Sequence, residues 1–182
     1  MNLARFIAEG VVLKNADRTF DGEVIGKQVQ LAVNGFVMSF KWDSGEAGEA
    51  ERFPMGSVLR VEGRIGTDAR AATFHPETVE PMKDPAALAD PSWSCRGRLV
   101  EKKREERKGR TSCMARVECM AATITAGVDL STFDTLPDDP CGVEVKGTFR
   151  QSYGRLYMNA DQVSVLGKAK TPAAARREGE AA

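Results

Sequence analysis

Histidine is almost missing from this sequence: His75 is the only one in 182 residues. It lies between Phe74 and Pro76 in strand-like sequence, so it reads as a packed or edge residue rather than a base. Nucleophilic dyads and triads need a positioned base, and no Ser or Cys here has a His partner to supply one. Also missing are a P-loop, a dinucleotide glycine fingerprint and any metal-ligand spacing. The paired carboxylates Asp138 and Asp139 sit in a Pro-bounded loop and read as turn formers. No catalytic residue, cofactor or metal is therefore expected, and the chain reads as a non-enzyme. A carboxylate-based enzyme is the remaining catalytic alternative.

Long apolar runs are missing too. Nothing approaches the roughly 20 residues that span a bilayer as a helix. Met1-Asn2-Leu3-Ala4-Arg5 leads directly into patterned sequence containing Glu9, without the apolar stretch of a secretory signal. The expectation is a cytoplasmic protein with no membrane partner. Cysteine is scarce: Cys95, Cys113, Cys119 and Cys141, with no C-x-x-C pair. Away from an oxidising compartment these should be reduced, buried small hydrophobes. A zinc site drawing on four scattered positions is the weaker reading.

Net charge is zero, with 26 basic and 26 acidic residues. The balance is uneven along the chain. Residues 1–91 hold 10 basic and 14 acidic side chains, and residues 92–182 hold 16 and 12. Arg96 to Arg110 alone carries eight basic and three acidic residues. A polyanion would thus meet a local patch, not a basic protein.

No segment keeps a helical apolar period. Instead, short alternating runs are separated by Gly, Pro, Asn and Asp clusters, the pattern of β-strands and turns. Strands are predicted near 5–14, 24–33, 36–42, 57–65 and 71–80, then near 92–102, 111–120, 123–129, 142–150 and 155–166. Val33-Asn34-Gly35-Phe36 marks a hairpin through its Asn-Gly turn.

The two halves resemble each other. Val61-Glu62-Gly63-Arg64-Ile65 matches Val145-Lys146-Gly147-Thr148-Phe149, and 16 residues separate both Gly63 from Val79 and Gly147 from Val163. Phe6 and Gly10 match Trp93 and Gly97; the middles show no gapless alignment. This predicts two copies of one unit, over 1–81 and 92–166. A Pro-rich linker at 82–91 joins them, because proline cannot donate to a sheet. The Ala-rich tail, 167–182, has too little apolar surface to offset its ordering entropy and is expected to be mobile.

Five short strands in about 75 residues, with a Val-x-Gly fourth strand and a longer excursion between strands three and four, resemble the oligonucleotide/oligosaccharide-binding (OB) fold. The fold class expected is all-β: two tandem five-stranded Greek-key barrels. The excursions at 43–56 and 130–142 leave room for a helical turn or two at most. The resemblance extends to single-stranded DNA-binding proteins of tandem OB type. It implies largely sequence-independent binding of single-stranded nucleic acid, DNA before RNA. The tail ends Arg176-Arg177-Glu178-Gly179-Glu180-Ala181-Ala182, unlike the acidic, aromatic-ended tails of bacterial members. Near-zero charge and few aromatics keep a protein–protein adaptor or structural component as the rival; RNA binding comes third.

On an OB scaffold the binding elements are strands two and three and the loops joining strands 1–2 and 4–5. In the second half the 1–2 loop offers Lys102, Lys103, Arg104, Arg107 and Lys108 to a phosphate backbone. Glu101, Glu105 and Glu106 dilute that field, and a solvated hairpin tip is the bland alternative. The 4–5 loop, Arg150-Gln151-Ser152-Tyr153-Gly154-Arg155, sets an aromatic between two arginines, suited to stacking plus phosphate contact. Strand alternation turns Lys146, Arg150 and Tyr157 outward beside Tyr153 and Arg155. The first half looks weaker: Trp42 as a stacker at the end of strand three, and Arg64 and Arg70 around its 4–5 loop. In its 1–2 loop, Arg18, Phe20 and Lys27 face Asp17, Asp21 and Glu23.

Overall fold

The computed structural model describes residues 3–43, 53–68, 71–83, 88–120, 122–152 and 155–168. Among these, ten strands follow one another: β1 (Ala4–Phe20), β2 (Glu23–Val33), β3 (Phe36–Asp43), β4 (Val58–Asp68), β5 (Ala71–Pro81), β6 (Ser92–Arg107), β7 (Arg110–Cys119), β8 (Ala122–Val128), β9 (Cys141–Ser152) and β10 (Arg155–Lys168). One short helix, α1 (Leu130–Thr135), lies between β8 and β9. It fills the excursion that the sequence left room for. The corresponding excursion at 44–52 is outside the described residues, as are 84–87 of the expected linker and the tail beyond Lys168.

Alternation explains the strands. In β7, Cys113, Ala115, Val117 and Cys119 point inward; in β8, Ala122, Ile124, Ala126 and Val128 do so; in β9, Cys141, Val143, Val145 and Phe149. These faces meet because the last five strands close on themselves. β6 pairs with β7, β7 with β8, β8 with β10 in parallel, β10 with β9, and β9 with β6. All four cysteines are buried in or beside this barrel's core.

The first five strands follow the same order, β3-β2-β1-β4-β5. Here the ring differs from the expectation of two closed barrels. Among the described residues β3 pairs only with β2, and β5 only with β4, so no ladder joins β3 to β5. The halves are also not held by a linker alone. β1 and β6 pair antiparallel at Arg5–Ser94, Phe6–Trp93 and Ile7–Ser92, making one continuous sheet. The linker's end is tied down: Ala89 N donates to the Glu9 carboxylate at 2.8 Å, Asn34 Nδ2 bonds Asp90, and Pro91 is buried.

Close approach accounts for the two Val-x-Gly strands. A Cβ on Gly63 would stand 2.1 Å from the carbonyl oxygen of His75, and one on Gly147 1.8 Å from that of Asn159. Next to each contact the partner strand bulges, leaving Glu77 unpaired between Thr78 and Pro76, and Asp161 between Gln162 and Ala160. Bulges also fall at Leu13 in β1 and Val100 in β6.

β1 and β6 run well past the lengths predicted for them. Beyond Val12 and Leu99 the side chains of β1 and β6 leave the core while the strands run on as arms beside β2 and β7, and from Thr19 and Glu105 onward they form two-stranded tips. Each arm turns on a pair of positive-φ residues, Asp21-Gly22 and Lys108-Gly109, the geometry of a tight hairpin. The arms escape a hydrophobic pattern search because most of their side chains are charged or polar. β10 likewise extends through Gly167 and Lys168, which the sequence had assigned to the tail.

Aromatic rings centre the first half and reach into the second. Phe6 stacks on Phe40 at 5.4 Å, Phe74 meets Phe6 edge-on at 5.2 Å, and Phe74 meets Phe149 of β9 at 5.5 Å. Trp42 belongs to this core. It is 3% exposed and lies 6.3 Å from Phe40, which corrects its reading as an exposed stacker. The alternation that buries Met38 and Phe40 simply continues to Trp42.

Candidate nucleic-acid interface

The β6–β7 arm carries most of the clustered cations. Lys103 pairs with Glu105 at 2.7 Å and Arg104 with Glu106 at 3.8 Å, each two residues along the same strand face. Arg116 reaches Glu101 across the ladder at 3.4 Å. Exposed pairs of this kind are worth about 0–1 kcal/mol, so a phosphate can displace them at little cost. Lys108, at the tip, and Arg110 are exposed. The side chain of Arg107 is outside the described residues.

Lys102 is different, and its assignment to phosphate contact is corrected. Its ammonium donates to Leu136 O at 2.7 Å, pairs with Asp138 at 2.9 Å and lies 5.0 Å from the centre of the Phe133 ring. It anchors the β8–β9 connection to the arm and is mostly buried. Asp129 caps α1 in the same connection. Hydrogen bonds from the Ser131 and Thr132 hydroxyls and from Thr132 N hold its carboxyl well below the usual carboxylate range.

The β9–β10 hairpin presents the second group. Arg150 and Tyr157 are direct cross-strand partners, with the guanidinium 5.9 Å from the ring centre. Tyr157 is 41% exposed. Lys146 and Arg155 are exposed as well. Tyr153 is outside the described residues. The set expected from alternation is thus outward where it is described. Leu156, next to Arg155, turns toward the first half, where it helps line a cavity at β3 and β5.

In the first half, Arg64 is half-exposed and sits 3.9 Å from Glu77, whose firmer partner is Arg5 at 2.8 Å. Arg70 is outside the described residues. The β1–β2 arm holds what the sequence reading undervalued. Phe20 is 68% exposed at the arm's end, with Val24 and Ile25 beside it across the turn. A signal existed: Gly10 to Gly22 and Gly97 to Gly109 both span 12 residues, placing Phe20 opposite the basic arm's Arg107. The hairpins between strands four and five face the opposite half. Thr67 Oγ1 accepts from Thr123 N at 3.1 Å, while Phe149 meets Phe74.

Chemistry-bearing groups elsewhere are engaged structurally. His75 Nε2 lies 3.1 Å from Thr73 Oγ1 on β5. The neighbouring Cys119 sulfur and burial push the Cys95 thiol up, keeping it protonated. Among the described residues no group of three or more His, Cys, Asp or Glu could hold a metal ion. No described helix is long and apolar enough to cross a membrane.

A closed five-stranded barrel of order 1-2-3-5-4 with a short helix between strands three and four is an OB fold. The chain is similar to the wild-type single-stranded DNA binding protein from Thermus aquaticus, with a TM-score of 0.67 and 10% identity over 96% of this chain and 98% of that one. A deletion mutant of the same Thermus protein superposes with a TM-score of 0.66 and 12% identity, covering 94% of this chain and 98% of that one. At these identities the likeness is one of fold. No family model matches the sequence, and no curated protein does.

Proposed function

We propose that this chain binds single-stranded nucleic acid, DNA before RNA, largely without regard to sequence, and that it is not an enzyme. The observation that carries the reading is the exposed pairing of Arg150 with Tyr157 on the β9–β10 hairpin of an OB barrel. It offers a ring for a base and a cation for the adjoining phosphate. Lys146 and Arg155 extend this surface, and Lys103, Arg104, Lys108 and the sequence neighbours Arg107 and Tyr153 would extend the track along the arm and hairpin tip. The fold shared with a Thermus protein named for single-stranded DNA binding supports DNA over RNA.

Fluorescence anisotropy of a labelled oligo(dT) with the full chain tests this at two or more salt concentrations. Log affinity should fall against log salt by roughly 0.7 per phosphate neutralised. Tyr157→Ala should weaken binding about 5- to 150-fold, the worth of one stacked base, and leave that slope unchanged. Arg150→Ala should weaken binding and make the slope shallower. A folded chain that ignores single-stranded DNA at low salt would overturn the proposal.

A further inference from the structure

Cys95 on β6 and Cys119 on β7 share the inward face of the closed barrel, where both are buried. The β6–β7 ladder pairs Arg98 with Glu118, so Cys119 stands one step beyond it, beside Gly97, and Cys95 lies two residues further along β6. Gly97 has no side chain to part them, and its backbone is so close to β7 that an added Cβ would stand 2.3 Å from Glu118 O. The two thiols meet here, hydrogen-bonded to each other. The remaining cysteines are elsewhere. Cys113 sits opposite Val128 at the other end of β7, roughly 20 Å along the strand from Cys119. Cys141 sits opposite Leu99, four positions along β6 from Cys95.

We infer that Cys95 and Cys119 form a site of reversible disulfide formation, closed by hydrogen peroxide and reopened by a thiol. The inference is independent of nucleic-acid binding. The two sulfurs are unequal. The hydrogen bond from Cys95 lowers the Cys119 thiol, while the Cys119 sulfur and burial raise Cys95. Thiolate is the reactive form, so Cys119 is the attacking sulfur. It also lies nearer solvent: it ends β7, and Met120 after it is 56% exposed. The Cys119 sulfur attacks one peroxide oxygen and the O–O bond breaks. The other oxygen leaves as hydroxide and takes back the proton that Cys119 gave up, forming water. Cys95 then attacks the sulfur of the resulting sulfenic acid. The S–O bond breaks, the S–S bond forms, and the Cys95 proton leaves with the hydroxyl as a second water. Two thiols and one hydrogen peroxide thus give one disulfide and two waters. Positions diagonal across a ladder are farther apart than direct partners, so the bridge forms under strain. Strained disulfides are the readily reduced ones, which makes the step reversible. The bond would close the loop from 95 to 119, which contains the whole basic arm, and brace that arm at its root.

The full chain, kept folded, is treated with hydrogen peroxide, then unfolded, alkylated and digested without reductant. Peroxide is raised until Met120 is converted to its sulfoxide, which shows that oxidant has reached the turn. The digest should yield one cross-linked pair joining Cys95 to Cys119, lighter by two hydrogens than the free peptides, with Cys113 and Cys141 alkylated. Dithiothreitol before alkylation should abolish the pair, the dithiol leaving as its own disulfide. Cys95→Ala should stop at the sulfenic acid, trapped on Cys119 by dimedone, and Cys113→Ala should behave as the parent. The parent digest decides even where a variant fails to fold. Oxidised Met120 with Cys95 and Cys119 still alkylated would overturn the inference, as would a bond to Cys113, to Cys141 or to a second chain.

Discussion

Phe6 on β1 lies directly opposite Trp93 on β6, and these are the two residues that the internal comparison of the sequence matches to each other. An antiparallel ladder centred on equivalent residues is the arrangement of a two-fold contact, made here within one chain. Below it, Trp93 Nε1 donates to two carbonyls, Thr148 O at 3.1 Å and Asn159 O at 3.0 Å. That fork is possible because Gly147 has no side chain: a Cβ would be 2.7 Å from Trp93 Nε1 and 1.8 Å from Asn159 O. Gly147→Ala should therefore force β9 away from both β10 and the indole. Overpacking of a core costs about 1–3 kcal/mol, and two simultaneous clashes, one with backbone, put this change at the upper end. Urea unfolding followed by Trp fluorescence measures it; a loss under about 0.5 kcal/mol would mean the strand approach is looser than described.

Glu9 gives the second prediction. Its carboxylate is 5% exposed, with one oxygen held by Arg60 Nη1 at 2.7 Å and the other by Ala89 N at 2.8 Å. Glu62 holds the other side of the same guanidinium, so Arg60 stays charged at any accessible pH. Glu9→Ala removes the carboxylate that accepts from both the Arg60 guanidinium and the Ala89 amide, and hydrogen bonds to a charged group are worth about 1.5–3 kcal/mol. Hydrogen exchange at Ala89 should quicken in the variant, while exchange in β8 stays slow. Unchanged protection at Ala89 would place the end of the linker under other control.

Asp129 links stability to pH. Its folded pKa is lowered, first by the Ser131 hydroxyl and then by Thr132, relative to about 3.9 for a free Asp. A depressed carboxyl stabilises the fold fully above the unfolded value and loses that contribution as pH falls toward the folded one. Asp129→Ala should thus be less stable than the parent at pH 7, and the gap should narrow as pH drops below about 4. Denaturation midpoints of both proteins at pH 7, 5 and 3 test this. A gap that stays constant would assign the cap's effect to shape rather than charge.

Much of this architecture was legible from residue order, and the gaps have physical causes. Strand positions followed from burial alternation, and the Asn34-Gly35 turn from its demand for positive φ. The arms were missed because the β1 and β6 side chains there leave the core, and their tips are two-stranded ribbons in water, which need no apolar face. Trp42 was misjudged because strand alternation was not carried one step further. Lys102 was misjudged for a different reason: a cation's neighbours across α1 are set by tertiary structure, and Leu136 and Asp138 lie more than thirty positions away. The missing ladder between β3 and β5 among the described residues has no sequence mark, since β5 aligns with β10, which does pair across its barrel, and β3 alternates as β8 does.

The basic arm supplies the sharpest contrast between two lysines. Lys102 and Lys108 are six positions apart on one hairpin, and their charges should do different work. Lys102 Nζ is committed to Leu136 O, and its side chain is only 17% exposed. Its ion pair with Asp138 adds little, because that carboxylate is 93% exposed and screened. Lys102→Met preserves the stem over Phe133 but removes the donor from a part-buried carbonyl, which should cost about 1–2 kcal/mol. It should leave the salt slope of single-strand binding unchanged, since no phosphate loses a partner. Lys108 stands exposed at the tip, so Lys108→Gln should leave the unfolding midpoint within error and make the slope shallower by roughly 0.7. Urea unfolding and the anisotropy salt series, run on both variants, separate the two roles. Lys102→Met with unchanged stability and a shallower slope would return Lys102 to the phosphate track and break the assignment made from its contacts.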